Sequence, residues 1–159
     1  MQGSANLNLM IKAARRAGKS LVKDFREVEN LQVSTKGPGD FVSKADREAE
    51  RIIKEDLMGA RPTYGWLGEE TGGTDGQDPT RRWIVDPLDG TKEFVQRRGD
   101  FTVNIAYVED GVPLRGVVYA PARDEMYDAA LGHGARLNGG TPIGAHGGEG
   151  GGEGREQEC

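Results

Sequence analysis

Two stretches of this sequence place carboxylates where chemistry can use them. Residues 83–94 read WIVDPLDGTKEF: an apolar run ends in Asp86, and Asp89 follows three positions later, directly before Gly90 and Thr91. Residues 65–71 read GWLGEET and set Glu69 and Glu70 side by side after another short apolar run. Two hard oxygen donors at the end of one strand invite a divalent cation. Pro87 removes a ladder donor and bends the chain, so that Asp86 and Asp89 are expected to converge. Gly90 and Thr91 then open a predicted short helix, whose unpaired N–H groups and dipole favour an anion. A cation and a phosphate brought together there are what metal-assisted phosphoryl transfer to water requires.

Other readings of DPLDGT exist. The structural alternative is an Asx-rich turn with a helix cap. A calcium-sensing EF-hand loop counted from Asp86 would need glutamate at its twelfth position, where this chain has Arg97. Phosphatases with an aspartyl nucleophile favour acids two residues apart, one fewer than here. No GxxxxGK[ST] loop occurs, and His133 and His146 have no histidine or cysteine near them in sequence to make a zinc cluster.

The elements that must carry these residues can be read from periodicity. Leu7, Met10, Ile11, Ala14, Leu21, Val22 and Phe25 recur at helical steps and predict an amphipathic helix over about residues 5–27 that covers a sheet. After a Gly/Pro turn at residues 36–40, Ala45, Ala49, Ile52, Ile53 and Leu57 mark a second helix that stops before Pro62. Ser43 and Asp46 have capping-box spacing, which places the start of that helix beside them. The run TGGTDGQDPT reads as a surface loop. Strands are predicted at 83–85, 101–108 and 112–120, with a hairpin turn across Glu109, Asp110 and Gly111, and a further short strand at 126–129.

Length and composition bound the rest. A chain of 159 residues is one ordinary domain, and a net charge of −5 gives no electrostatic reason to expect nucleic acid or an anionic membrane as partner. No targeting segment or membrane span is expected. The single cysteine, Cys159, excludes an intramolecular disulfide and suggests a reducing, cytoplasmic setting. Residues 144–159, GAHGGEGGGEGREQEC, hold too few apolar side chains to offset ordering entropy and are expected to form a disordered Gly/Glu-rich tail behind a domain of residues 1–143.

Taken together, DFVSKAD (40–46), GWLGEET (65–71) and WIVDPLDGTKEF (83–94) resemble the inositol monophosphatase superfamily of magnesium-dependent, lithium-sensitive phosphomonoesterases. The motifs stand in family order at family-like spacing, and the resemblance covers residues 5–143. It implies an α+β fold, the N-terminal half of a layered α/β sandwich, with two long helices on a mainly antiparallel sheet. It also implies two or three Mg2+ ions, with Mn2+ as a substitute, and a small phosphorylated metabolite as substrate. Neither nucleic acid nor membrane is implied, and a homodimer is one expected arrangement.

Carried over by motif, the resemblance makes Glu69 a ligand of the first metal and Asp86 the bridge between two metals. Leu88 would contribute its backbone carbonyl, and Asp89 a contact to the second metal. Glu70 resembles the neighbouring acid that organises a third metal or its waters. Asp46 and Thr91 resemble the pair that orients and deprotonates the attacking water, and the Gly90 and Thr91 amides the phosphate cradle. The sequence departs from the family by lacking the WDxxAG-like motif of the second half, which puts activity in doubt. The substrate signal is also mixed. GPGDFVSKAD and ARPTYGWLGEET resemble the bacterial inositol-1-monophosphatase branch, and GTKEFVQRRGDFTVNIAYVEDGVPLRGVVYAPA the 3'(2'),5'-bisphosphate nucleotidase branch. A third expectation, of another class, is a non-catalytic remnant that binds metal or serves as an interaction module.

Overall fold

A computed structural model describes residues 2–27, 38–96 and 98–143 of the chain. Two long helices, α1 (Gln2–Glu27) and α2 (Pro38–Ala60), pack against each other and against one face of an eight-stranded sheet. The strands are β1 (Gly65–Gly68), β2 (Gly72–Thr74), β3 (Arg81–Asp89), β4 (Thr102–Glu109), β5 (Val112–Ala120), β6 (Glu125–Ala130), β7 (Gly134–Leu137) and β8 (Thr141–Ile143), with the short helix α3 (Thr91–Val95) between β3 and β4. Their spatial order is β2-β1-β3-β4-β5-β6-β7-β8, and every pairing is antiparallel except the parallel pair β1 and β3. No helix among the described residues is long and apolar enough to cross a membrane.

Register explains where the core lies. Val85, Ile105 and Val117 stand in one row across β3, β4 and β5, with Trp83 opposite Tyr107, and all five are buried beneath the helices. The alternate positions Ile84 and Val118 face away and are exposed, as period-two alternation requires. From the helices, Met10, Ala14, Ala17 and Leu21 of α1 and Ala49, Ile53 and Leu57 of α2 complete the core, each fully buried. These are the periodic positions of the two amphipathic stripes.

Several sequence expectations need correction. The second helix begins at Pro38, not beside Ser43, so the residues read as a turn at 38–40 are its first turn. Proline is well placed there, because its missing N–H is one that a helix start leaves unpaired. Asp46 is therefore an interior residue on the buried face, not a cap. The strand expected at 83–85 runs on to Asp89 through a register shift between Asp86 and Asp89, so Pro87 sits inside an irregular strand. The polar run after Glu70 contains β2, and β7 and β8 extend the sheet beyond the predicted strands. The expected tail, residues 144–159, lies outside the described residues. The hairpin between β4 and β5 matches its prediction: Asp110 and Gly111 both take positive φ (51° and 78°), the geometry of a two-residue type I′ turn.

Trp83 anchors the centre of the sheet. Its ring lies 5.5 Å from Tyr64 and 5.4 Å from Tyr107, and its Nε1 is buried without a partner among the described residues. Trp83→Ala is expected to cost about 3–5 kcal/mol of stability in urea denaturation. Trp83→Phe, which keeps a ring and removes the unsatisfied N–H, is expected to cost less than about 1.5 kcal/mol. Equal costs for the two would mean that ring packing is not what holds this region.

Candidate metal and phosphate site

The site is assembled from three elements. In the parallel pair β1 and β3, Gly65 is matched with Arg82 and Gly68 with Val85, so the next residue on each strand is Glu69 on one and Asp86 on the other. Strand register alone thus sets two acids side by side at the carboxyl end of β1. Asp46 comes from α2, which packs on β3, and is buried at 5% exposure. Glu70 is exposed on the turn that follows β1.

Electrostatics show which of these acids meet. Burial, reinforced by the charges of Glu69, Glu70, Asp86 and Glu50, pushes the Asp46 carboxyl up to about 7. Hydrogen bonding to Asp86, then burial and the neighbouring charges of Asp86, Glu70 and Glu50, push Glu69 up to about 7 as well. Asp46 Oδ1 and Asp86 Oδ1 are buried and have no hydrogen-bond partner among the described residues. Asp46, Glu69, Glu70 and Asp86 therefore form one acidic patch. Asp89 ends β3 opposite Thr102 and is exposed, beyond the register shift that separates it from Asp86. The Leu88 side chain is buried in the core at 2% exposure, which pins the backbone between the two aspartates.

Gly90 and Thr91 stand where β3 gives way to α3. Gly90 takes φ 86° and ψ 48°, a left-handed conformation that side-chain-bearing residues rarely adopt, and a Cβ there would lie 3.3 Å from the Phe101 backbone. Its carbonyl accepts the Phe94 N–H at 3.0 Å, closing the first turn of α3. Thr91, the first helical residue, is exposed. Phe94 is fully buried against Phe25 and Phe101 at ring distances of 5.7 and 5.0 Å, which fixes α3 to α1 and the sheet.

Among the described residues, no three acids, histidines or cysteines are spaced so as to enclose an ion. The donor set nevertheless fits a hard divalent cation: two buried carboxylate oxygens lack partners among the described residues, and the acids around them destabilise one another's charged forms. Sequence reading missed one member of this neighbourhood, Glu50, which is fully buried one helical turn after Asp46. The available signal was an acid at that spacing within the apolar stripe of α2.

The raised carboxyls set a direction for pH dependence. Between about pH 4 and pH 7 the folded chain holds protons at Asp46 and Glu69 that the unfolded chain releases. Their contribution to stability is full below the unfolded values near 4 and is lost as pH rises through about 7. With chelator present, the melting temperature is expected to be lower at about pH 8 than at about pH 5.5, and added Mg2+ should recover more of it at the higher pH. A cation effect of the same size at both pH values would contradict the convergence of these acids.

Comparison with known proteins agrees in sequence and in structure. The model of the inositol monophosphatase family matches residues 5–153. The inositol-1-monophosphatase of Rhizobium meliloti (strain 1021) is 56% identical over 138 residues, which make up 87% of this chain and 52% of that protein. The Nus factor SuhB of Escherichia coli (strain K12) is 38% identical over 133 residues, covering 84% and 50% respectively. The crystal structure of the extragenic suppressor protein suhB from Bartonella henselae matches with a TM-score of 0.78 and 48% identity, over 87% of this chain and 54% of that one. The chain thus spans about half the length of the curated relatives it matches.

Proposed function

Because this chain belongs to the inositol monophosphatase family, we propose that it carries the metal-binding and water-activating half of a Mg2+-dependent phosphomonoesterase site acting on inositol-1-phosphate or a related small phosphate monoester. The observation that supports this most is the mutual action of Asp46, Glu69, Glu70 and Asp86, two of whose oxygens, Asp46 Oδ1 and Asp86 Oδ1, are buried without a partner among the described residues. Glu69 and Asp86 would hold the cation, joined by the Leu88 carbonyl and, at a second position, by Asp89, with Glu70 ordering the outer waters. When bound, Mg2+ supplies the positive charge that polarises the phosphate and acidifies a water. Asp46, buried and with a free Oδ1, accepts that water's proton, while the Thr91 hydroxyl orients it. The Gly90 and Thr91 amides, held by the left-handed turn at Gly90, donate to non-bridging phosphate oxygens.

Lys92, exposed on α3 beside this cradle, favours a second reading in which the substrate bears another phosphate, as in a 3'(2'),5'-bisphosphate nucleotide. A non-catalytic metal-binding module is the third reading, supported by the half-length match to relatives. Phosphate release from inositol-1-phosphate and from 3'-phosphoadenosine 5'-phosphate, with Mg2+ and with chelator, tests all three. Release that requires Mg2+ and prefers the inositol ester supports the leading reading, and preference for the nucleotide supports the second. Cation binding without release from either substrate supports the third, and no cation binding at all overturns the site.

A further inference from the structure

Glu50 is completely buried, and among the described residues no salt bridge reaches it. Its carboxyl oxygens are both directed at the backbone of the turn that carries Glu69. Oε1 accepts the Glu70 N–H at 3.0 Å and Oε2 the Thr71 N–H at 2.8 Å. From β1, Trp66 Nε1 donates to Thr71 Oγ1 at 2.8 Å, so the turn is held from a helix and from a strand. Gly68 lets it sit so low: a Cβ there would come within 2.7 Å of Glu50 Cδ and Oε1.

We propose that Glu50 is a positioning residue for the cation site, acting through the 68–71 turn to hold the Glu69 carboxylate against Asp86. The inference rests on the proposed role of Glu69 and Asp86 as cation ligands. A carboxylate is suited to this task because it offers two acceptors side by side, whereas glutamine would turn an NH2 group toward one of the two N–H donors. Groups that orient metal ligands through hydrogen bonds commonly change affinity by 10–100-fold when removed.

The test uses the whole 159-residue chain and Mn2+ as probe. Glu50→Gln is expected to speed hydrogen exchange at the Glu70 and Thr71 amides and to weaken Mn2+ binding about tenfold. Glu69→Gln should weaken Mn2+ binding by itself, and adding Glu50→Gln to it should bring no further loss, because both changes act through one carboxylate. Gly68→Ala, which presses a methyl group onto the Glu50 carboxyl, should move exchange and affinity in the same direction and serves if Glu50→Gln does not fold. Unchanged Mn2+ affinity with only a lowered melting temperature would make Glu50 a structural anchor and overturn the proposal. Additive losses in the double variant would overturn it too. If Glu69→Gln binds Mn2+ like the wild type, the cation site itself is wrong, and the positioning role falls with it.

Discussion

Asp86→Asn is expected to weaken Mg2+ or Mn2+ binding by about a hundredfold or more, at least as much as the loss of an orienting partner costs at metal sites. Asp86 pushes both Glu69 and Asp46 up, and its buried Oδ1 has no hydrogen-bond partner among the described residues. Removing its charge should have opposite effects on the free and loaded chain. Without metal, the variant loses a repulsive neighbour and should melt at the same temperature or higher, most clearly at pH 8. With metal, the rise in melting temperature seen in the wild type should largely disappear. Asp89→Asn, at an exposed position beyond the register shift and assigned only to the second cation, should cost much less affinity. Calorimetric titration of both variants checks this order; equal losses, or a destabilised metal-free Asp86→Asn chain, would contradict the arrangement.

Phosphate release by the isolated 159-residue chain is expected to be at least about a thousandfold slower than by a full-length relative under the same conditions. Removing a single group that stabilises transition-state charge typically costs 10²–10³ in turnover, and here half the length of the relatives is unmatched. Cation binding should survive better than turnover, because Asp46, Glu69 and Asp86 all lie in this chain. Residual release should require Glu69 and Thr91. Adding the unmatched half of the Rhizobium meliloti relative as a separate polypeptide should raise the rate, and the exposed sheet face bearing Ile84 and Val118 is where it has apolar surface to meet. Turnover close to that of the intact relative, after contaminating phosphatase is excluded, would mean that this chain or a second copy of it completes the site.

What could be read in the sequence was local or carried by motif. The stripes of α1 and α2 follow from apolar spacing, and the β4–β5 turn from Asp110-Gly111, because helical periodicity and turn chemistry are decided within a few residues. The three motifs were enough to identify the family and its α+β layering. Even these signals misplaced the start of α2, since a capping-box pattern at Ser43 and Asp46 looks the same whether or not the helix has already begun. Strands β2, β7 and β8 escaped because short, polar segments become strands only when a neighbour supplies the ladder. The site shows the same division most sharply. The acids Asp46, Glu69, Glu70, Asp86 and Asp89 are legible as chemistry, but which of them meet is decided by the parallel register of β1 on β3 and by the irregularity after Asp86. That register sets Glu69 beside Asp86, and the shift that follows separates Asp89 from Asp86 along β3. Only the packing of α2 makes Glu50 the acceptor for the Glu70 and Thr71 amides, 20 and 21 residues away, because burial of a charge and the donors that satisfy it come from elements far apart in the chain.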